Sequence, residues 1–181
     1  MIHPIKHFIT ITRHRHKVLR YCFRCGLYKQ GLVHDLSKYG ITEFFSGAKY
    51  YLGTKSPHSK ERDVNGYSLA WMHHKGRNKH HGEYWVDINK ETGLYQPVKM
   101  PDRYLAESIC DRIAASENYN RKNYERKMAL DYFLNVSSKH EPLHKDTKNK
   151  IIELLNMYVE NDKKYTFKYI KKHYRSKKAT Y

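Results

Sequence analysis

The stretch Leu32-Val33-His34-Asp35-Leu36-Ser37-Lys38 places an adjacent histidine and aspartate in an otherwise apolar turn, with a lysine three residues further on. A neutral imidazole and a carboxylate are both good ligands for zinc, iron, manganese or cobalt, so the pair can hold a divalent cation in one cavity. The alternative is that His34 makes an ordinary hydrogen bond and Asp35 caps a helix. An isolated His-Asp pair is common, so the surrounding sequence has to decide between the two interpretations.

Histidines are frequent on both sides of this pair, with thirteen in 181 residues. Residues from about Pro4 to Gly26 have the pattern of a helix, and Gly26 is a typical C-terminal stop. Two stripes with helical spacing compete for the buried face of this helix. One contains Ile11, His14, Val18, Cys22 and Cys25, and the other contains Ile9, Thr12, His16, Leu19 and Phe23. On spacing alone, either His14 or His16 can face inward.

The His-Asp pair is predicted to lie on a second helix, from Gly31 to Tyr39. A third helix is predicted after Gly40, with Glu43 in its first turn. The helix dipole favours an acidic residue there even at the surface. The alternative is that Glu43 orients a metal ligand or activates a water molecule. Residues 53–65 are polar and are predicted to form a loop.

A histidine-rich stretch follows. Tyr67, Ala70, Trp71 and His74 share one helical stripe, which directs His74 inward and His73 about 100° away from it. In the run His73-His74-Lys75-Gly76-Arg77-Asn78-Lys79-His80-His81, four of nine residues are histidines, and a glycine and an asparagine interrupt them as at a helix end. The doubled histidines favour a loop that folds back over the His-Asp pair and binds a metal ion or phosphate. The alternative is a solvated basic loop.

The later elements supply one more candidate ligand. Residues 85–98 are predicted to form a short β-hairpin, and Pro101 marks the start of another helix. On that helix Asp111 is the one acid on a face of small residues, so it can reach a buried cation. Its alternative role is a surface ion pair with a neighbouring arginine. A helix after Pro142 is predicted to dock on the body through Ile151, Leu154, Leu155 and Tyr158.

Charge is the strongest global feature of the sequence. The formal charge of +17 favours anionic partners such as nucleotides, phosphorylated metabolites or nucleic acid. Residues 163–181 contain eight lysines and arginines, no acid, and interleaved aromatic residues. They are therefore predicted to form a basic, aromatic-rich tail after a domain spanning residues 1–162. Such a tail can bind nucleic acid through phosphates and stacked bases, or it can simply be solvated.

Cysteine usage and hydropathy favour a reducing, aqueous environment. The three cysteines are an odd number in a sequence without a signal-peptide pattern, so no disulfide framework is expected. Cys22 and Cys25 form a CxxC pair within a helical pattern and are predicted to be core residues. No run of 18 apolar residues occurs. We therefore expect a soluble cytoplasmic protein without membrane contact, and the sequence carries no signal for its oligomeric state.

The order of these features resembles the HD-domain superfamily of metal-dependent phosphohydrolases. The resemblance lies in a histidine on the first helix, the His34-Asp35 pair followed by Lys38, the histidine-rich stretch, and the late acid in Cys110-Asp111-Arg112-Ile113-Ala114-Ala115. From about Ile9 to Ser116, the sequence is similar to an uncharacterised bacterial and phage family of HD-like proteins. The resemblance implies an all-α, HD-type helical bundle with a short β-hairpin insertion.

The resemblance also implies a set of site residues. It selects His14 over His16, and it assigns one divalent ion to His14, His34, Asp35 and Asp111. A second ion would be held by Asp35, by His74, and by His80 or His81. The implied ions are iron, manganese, zinc, cobalt or nickel. The implied catalytic residues are Lys38, Glu43 and His81, and the implied substrate-binding residues are His73, Arg77, Asn78 and Lys79.

The sequence departs from the HD pattern at two places. Ser37 replaces the more usual glycine, and no consequence of this change follows from the sequence. The four histidines of residues 73–81 are closer together than the extra ligands of better-known members, which leaves open the number of ions and the ligands of the second ion. On this resemblance, we expect a metal-dependent phosphohydrolase, either a phosphomonoesterase or a phosphodiesterase. Its metal-activated water would attack a nucleotide or another small phosphorylated substrate. A di-iron oxygenase and a nucleic-acid-binding protein with a structural or vestigial metal are the alternatives.

Overall fold

The computed structural model describes residues 2–174, most of which are helical. Two short strands, β1 (Val86–Ile88) and β2 (Tyr95–Pro97), form an antiparallel hairpin. The predicted all-α class with a short β-hairpin is confirmed. No helix within residues 2–174 is long and apolar enough to cross a membrane. The α-helices are α1 (Pro4–Arg24), α2 (Tyr28–Val33), α3 (Ile41–Lys49), α4 (Pro57–Asn65), α5 (Leu69–Lys75), α6 (Asp102–Asn120), α7 (Met128–Tyr132), α8 (Ser138–His140), α9 (Lys145–Glu160) and α10 (Lys163–His173).

Helix α1 runs through the middle of the structure. Pro4 occupies its first turn, where a missing N–H costs little. The chain turns after the helix at Gly26, whose φ of 73° suits a glycine. Helix α1 packs against α2, α3 and α6. Its buried residues include His14, whereas His16 is exposed, so the stripe that contains His14 is the one that faces inward.

The apolar core lies where the C-terminal half of α1 meets α6, α9 and α10. Cys22 and Cys25 are fully buried there, which confirms that the CxxC pair belongs to the core. The predicted docking stripe of α9 is also buried. Fully burying one such leucine or isoleucine contributes ~1.5–3 kcal/mol. This cluster therefore anchors the helices that carry the polar residues described below.

Gly31 allows α2 to lie directly against α1. A Cβ atom added to Gly31 would lie 2.9 Å from the Cβ of Cys22, closer than two packed carbons can approach. This close approach fixes the end of α2, and His34 follows immediately after it.

The predicted loop over residues 53–65 is wrong, because it contains α4. This helix begins at Pro57 and ends before Gly66, whose φ is 78°. Its composition is polar because the buried side chains are His58 and Glu61, and Glu61 accepts a hydrogen bond from Ser68. Two buried polar side chains thus replace the apolar stripe that would have predicted a helix.

The segment after residue 162 is not a separate tail as far as the structure describes it. Phe167 and Ile170 of α10 lie in the apolar core, and Lys163 forms an ion pair with Glu117 of α6. The folded domain therefore extends to Tyr174. The remainder of the predicted tail, residues 175–181, lies outside the described residues.

His7 joins α1 to α3 in a buried contact. Its ring centroid lies 5.5 Å from that of Phe44, and a Cβ atom added to Gly47 would collide with its Nε2. Burial lowers the pKa of His7 to about 4, with a smaller contribution from the charge of Lys38. The ring is therefore neutral in the folded protein near pH 7.

This lowered pKa predicts a loss of stability in acid. Between about pH 6.5 and pH 4 the unfolded chain binds a proton at His7 that the folded protein does not, so the free energy of unfolding falls as the pH falls. We expect acidification from pH 7 to pH 5 to lower the free energy of unfolding of the wild type by about 1–2 kcal/mol more than that of the His7→Gln variant. Urea unfolding at both pH values measures the difference, with exposed His16→Gln as the control. Parallel pH dependence in wild type and His7→Gln would contradict the assignment.

Candidate metal centre

A break in the helix sets the orientation of the His-Asp pair. Helix α2 ends at Val33, Asp35 has a left-handed backbone with φ of 54°, and a 3₁₀ turn covers Leu36–Tyr39. The predicted continuous helix from Gly31 to Tyr39 is therefore wrong. Adjacent side chains of a continuous helix diverge by about 100°. The break instead brings the side chains of His34 and Asp35 to the same buried site.

Burial in this segment is the reverse of what hydrophobicity alone would produce. His34 and Asp35 are each 1% exposed, whereas Leu32 is 54%, Val33 50% and Leu36 50% exposed. Arg15 holds the turn from α1, donating hydrogen bonds to the carbonyl oxygens of Leu32 at 2.6 Å and of His34 at 3.2 Å. The fold therefore buries the polar pair at the cost of exposing apolar neighbours, which is typical of a functional site.

The first ligand group consists of His14, His34, Asp35 and Asp111, whose donor atoms surround one point. His14 Nε2 lies 3.0 Å from Asp111 Oδ1 and 3.5 Å from Asp35 Oδ2. His34 Nε2 lies 3.3 Å from Asp35 Oδ2 and 3.5 Å from Asp111 Oδ1. Metal–ligand bonds of about 2.0–2.2 Å at angles between 90° and tetrahedral separate neighbouring ligand atoms by about 2.8–3.6 Å. All four distances fall within that range.

The second ligand group consists of His74, His80 and His81, and it meets the other oxygen of Asp35. Asp35 Oδ1 lies 3.4 Å from His74 Nε2 and 3.6 Å from His80 Nε2. His74 Nε2 and His81 Nε2 are 3.0 Å apart. Asp35 therefore lies between the groups, with Oδ2 toward the first and Oδ1 toward the second.

Four of the atoms that could ligate a metal are buried without a hydrogen-bond partner among the described residues. They are His14 Nε2, His34 Nε2, His80 Nε2 and Asp35 Oδ1. Leaving one buried polar atom unsatisfied costs about 1–3 kcal/mol. A divalent cation within each ligand group would satisfy all four atoms, so the residues fit a metal centre.

Two glutamates hold the opposite nitrogens of the histidine rings. Glu107 Oε1 lies 2.9 Å from His34 Nδ1 and 3.2 Å from His80 Nδ1. Glu43 lies 2.6 Å from His73 Nδ1 and 2.7 Å from His74 Nδ1. When Nδ1 donates its proton to a carboxylate, the lone pair of Nε2 is left for a cation. The sequence singled out Glu43 but not Glu107, which occurs one helical turn before Asp111 and could have been found from that spacing.

Electrostatic interactions couple the buried groups. Burial alone would raise the pKa of Asp111, but the nearby rings of His14 and His34 lower it well below its usual range. Burial would lower the pKa of His34, but the Asp35 carboxylate and the other acids raise it well above its usual value. A proton and a metal cation would therefore compete for His34, and binding of a metal there would release a proton.

Lys38 lies beside the metal centre, at a cavity of about 40 Å³. Its Nζ is 2.5 Å from Asp35 Oδ2. Burial would lower the pKa of Lys38, but the Asp35 carboxylate raises it above the ordinary value, so the ammonium is charged near neutral pH. His14 and Glu43 also line the cavity, together with His7, Tyr51, His58 and Tyr119, which the sequence did not single out.

The histidine-rich loop folds back over the His-Asp pair, as predicted, and is not simply solvated. Its buried Asn78 fastens it there, donating hydrogen bonds to the carbonyl oxygen of His74 at 2.8 Å and to Ser37 Oγ at 2.9 Å. Arg77 and Lys79 are exposed. The implied substrate-binding residues do not themselves line the Lys38 cavity, although His73 contacts Glu43, which does. They are His73, Arg77, Asn78 and Lys79.

The chain belongs to a family of unknown function, DUF5662, whose model matches residues 3–157. The matched region contains both ligand groups and Lys38. We found no match to a curated protein or to a solved structure. The comparisons thus establish the family of the chain but give no activity for it.

A pair of histidine variants tests the first ligand group. We expect His14→Ala to lose bound metal because His14 Nε2 faces Asp35 and Asp111, and His16→Ala to keep it because His16 is exposed. Elemental analysis of both purified variants and the wild type measures metal content. Chelation should also lower the unfolding temperature of wild type and His16→Ala, since a ligand that binds only the folded state stabilises it. Equal metal in both variants would exclude His14 as a ligand.

Glu107 is predicted to hold the ligand rings in position. Removing its charge with Glu107→Gln should weaken metal binding about 10–100-fold, as is typical for carboxylates that orient metal-binding histidines. Competition with a chromophoric chelator measures the affinity. Glu117→Gln is the matched control, because Glu117 is a buried acid of the same helix that pairs with lysines outside the metal centre. That control should lose stability but retain metal affinity; equal weakening in both variants would indicate a general structural effect.

Proposed function

We propose that this member of the DUF5662 family is a metal-dependent phosphohydrolase that acts on a nucleotide or another small phosphorylated molecule. The observation that carries the proposal is that Asp35 lies between two ligand groups while Lys38 lies against the same carboxylate. A purely structural metal site needs neither a neighbouring positive charge nor a cavity. A site that acts on a phosphate needs both. The likeness to the HD superfamily stays a prediction from the order of these residues along the chain.

The donor atoms narrow the choice of metal. Imidazole nitrogens mixed with carboxylate oxygens favour iron, manganese, zinc, cobalt or nickel over calcium and magnesium. Asp35, which lies between the two ligand groups, would bridge a pair of ions if both groups are filled. When bound, such ions activate water at neutral pH and stabilise the charge of a phosphoryl group in transfer.

Lys38 is suited to bind the substrate phosphate. Its Nζ remains protonated because Asp35 raises its pKa, and its side chain is 24% exposed, so it can reach a ligand in the cavity. Lysine commonly binds phosphate as a point charge. The cavity of about 40 Å³ has room for about three water molecules, so it accommodates a phosphoryl group, and the rest of the substrate would lie at its mouth.

Two residues implied as catalytic are better assigned other roles. Both oxygens of Glu43 are engaged by His73 and His74, which makes Glu43 a positioning residue. His81 lies within the second ligand group, and burial together with His80 and His74 lowers its pKa well below the usual value. A neutral His81 is suited to bind a metal through its lone pair, and Lys38 is left as the group that contacts substrate.

The test is hydrolysis of phosphomonoesters and phosphodiesters with added manganese, iron, cobalt or zinc. We expect metal-dependent turnover by the wild type and none by the His34→Ala, Asp35→Ala double variant. Lys38→Met should keep its metal but lose about 10²–10³-fold in kcat/KM, the usual effect of removing one group that stabilises transition-state charge. Exposed Lys49→Met is the control for loss of one positive charge and should retain full activity.

Two other results would contradict parts of this proposal. Bound iron with oxygen consumption and no phosphoester hydrolysis would replace the hydrolase with the oxygenase. Full activity of Lys38→Met would exclude the assigned role of the lysine while leaving the metal centre intact.

A further inference from the structure

A wide basic groove lies apart from the metal centre. It is formed by residues 26–30 at the start of α2, by Arg103 of α6, and by one face of α10, and its volume is about 1270 Å³. None of the residues lining it belongs to either ligand group. A ligand of this groove would therefore contact none of the proposed metal-binding residues.

Positive charge is concentrated in the groove. Lys168, Lys171 and Lys172 are spaced by three and four residues, so they share one face of α10, and Lys29 lies across from them. These four lysines form no ion pair among the described residues, and no described carboxylate lines the groove. Like charges at such spacing repel each other, and an anionic ligand would relieve that repulsion.

Arg103 adds a donor that is already held in place. Its guanidinium stacks over the ring of Tyr104, with 4.9 Å between the Cζ atom and the ring centroid. Its Nε is buried and has no hydrogen-bond partner within residues 2–174. An arginine that lines a groove and stacks on an aromatic ring is suited to bind a phosphate oxygen through its guanidinium group.

We propose that this groove binds a single strand of nucleic acid through its phosphates. The groove exceeds the usual 300–1,000 Å³ of a small-molecule site, and its cations extend from α2 to α10. Tyr28 is 53% exposed at its edge and offers a ring on which a base can stack.

The test compares two triple variants that lose the same charge. Lys168→Ala, Lys171→Ala, Lys172→Ala removes the groove cations, whereas Lys90→Ala, Lys122→Ala, Lys139→Ala removes three exposed lysines elsewhere. Fluorescence anisotropy with a labelled 20-nucleotide oligo(dT) and oligo(U) measures affinity in the presence of a chelator. We expect the groove variant to bind at least ~30-fold more weakly and the control to change less than ~3-fold. The slope of log K against log salt should fall by about 2 for three lost phosphate contacts.

A second pair of variants separates the groove from general attraction by the +17 charge. Arg103→Met should weaken binding ~5–10-fold, and Tyr28→Ala should weaken it ~5-fold or more through lost stacking. Equal losses in the two triple variants would overturn the proposal, as would the absence of oligonucleotide binding. Preference for phosphatidylserine vesicles or polyglutamate over the oligonucleotide would also overturn it. Circular dichroism should show unchanged helicity, because the substituted lysines are exposed.

Discussion

The buried carboxylate of Asp35 is the constraint on which the site depends. A buried, ionised carboxylate is stable only when cations or hydrogen-bond donors surround it. Here Lys38 Nζ is 2.5 Å from Oδ2, and histidine nitrogens from α1, the end of α2 and the histidine-rich loop face its two oxygens at 3.3–3.6 Å. Burial alone would raise the pKa of Asp35, but His34, Lys38 and His74 hold it well below the usual range. Segments that are far apart in the sequence are thereby held together around the buried negative charge of Asp35.

Helix α1 links this polar site to the apolar core. One continuous face of the helix changes character along its length: His7 contacts α3, His14 belongs to the first ligand group, and Val18 and Cys22 lie in the core. The spacing of these residues by four and seven keeps them on the same side. The core at the C-terminal end can therefore hold the helix rigidly while His14, further toward the N-terminus, carries an unsatisfied buried nitrogen, an arrangement that a functional site requires.

Regular patterns could be predicted from the sequence, and tertiary constraints could not. The existence of α1, the buried stripe of α9 and the hairpin follow from local sequence patterns, whereas spacing alone left two stripes of α1 open. The left-handed backbone of Asp35 does not, because it is locally unfavourable and is held by contacts such as the hydrogen bonds from Arg15. Helix α4 escaped prediction because its buried face is made of His58 and Glu61. The role of Glu107 depends on two histidines 73 and 27 residues away, a pairing that only the fold reveals.

Lys38 and a metal cation would both be attracted to Asp35 Oδ2, and this competition favours an anionic substrate. The lysine lies 2.5 Å from the same oxygen that faces His14 and His34. Two positive charges around one oxygen repel each other strongly in a buried site, where screening is weak. A phosphate that contacts both would reduce this repulsion and allow Lys38 to move from Asp35 to the substrate. Because coupling between sites is reciprocal, metal binding would favour phosphate binding, and phosphate binding would favour the metal. The pairing that stabilises the buried acid would thus prepare the site for a negatively charged ligand.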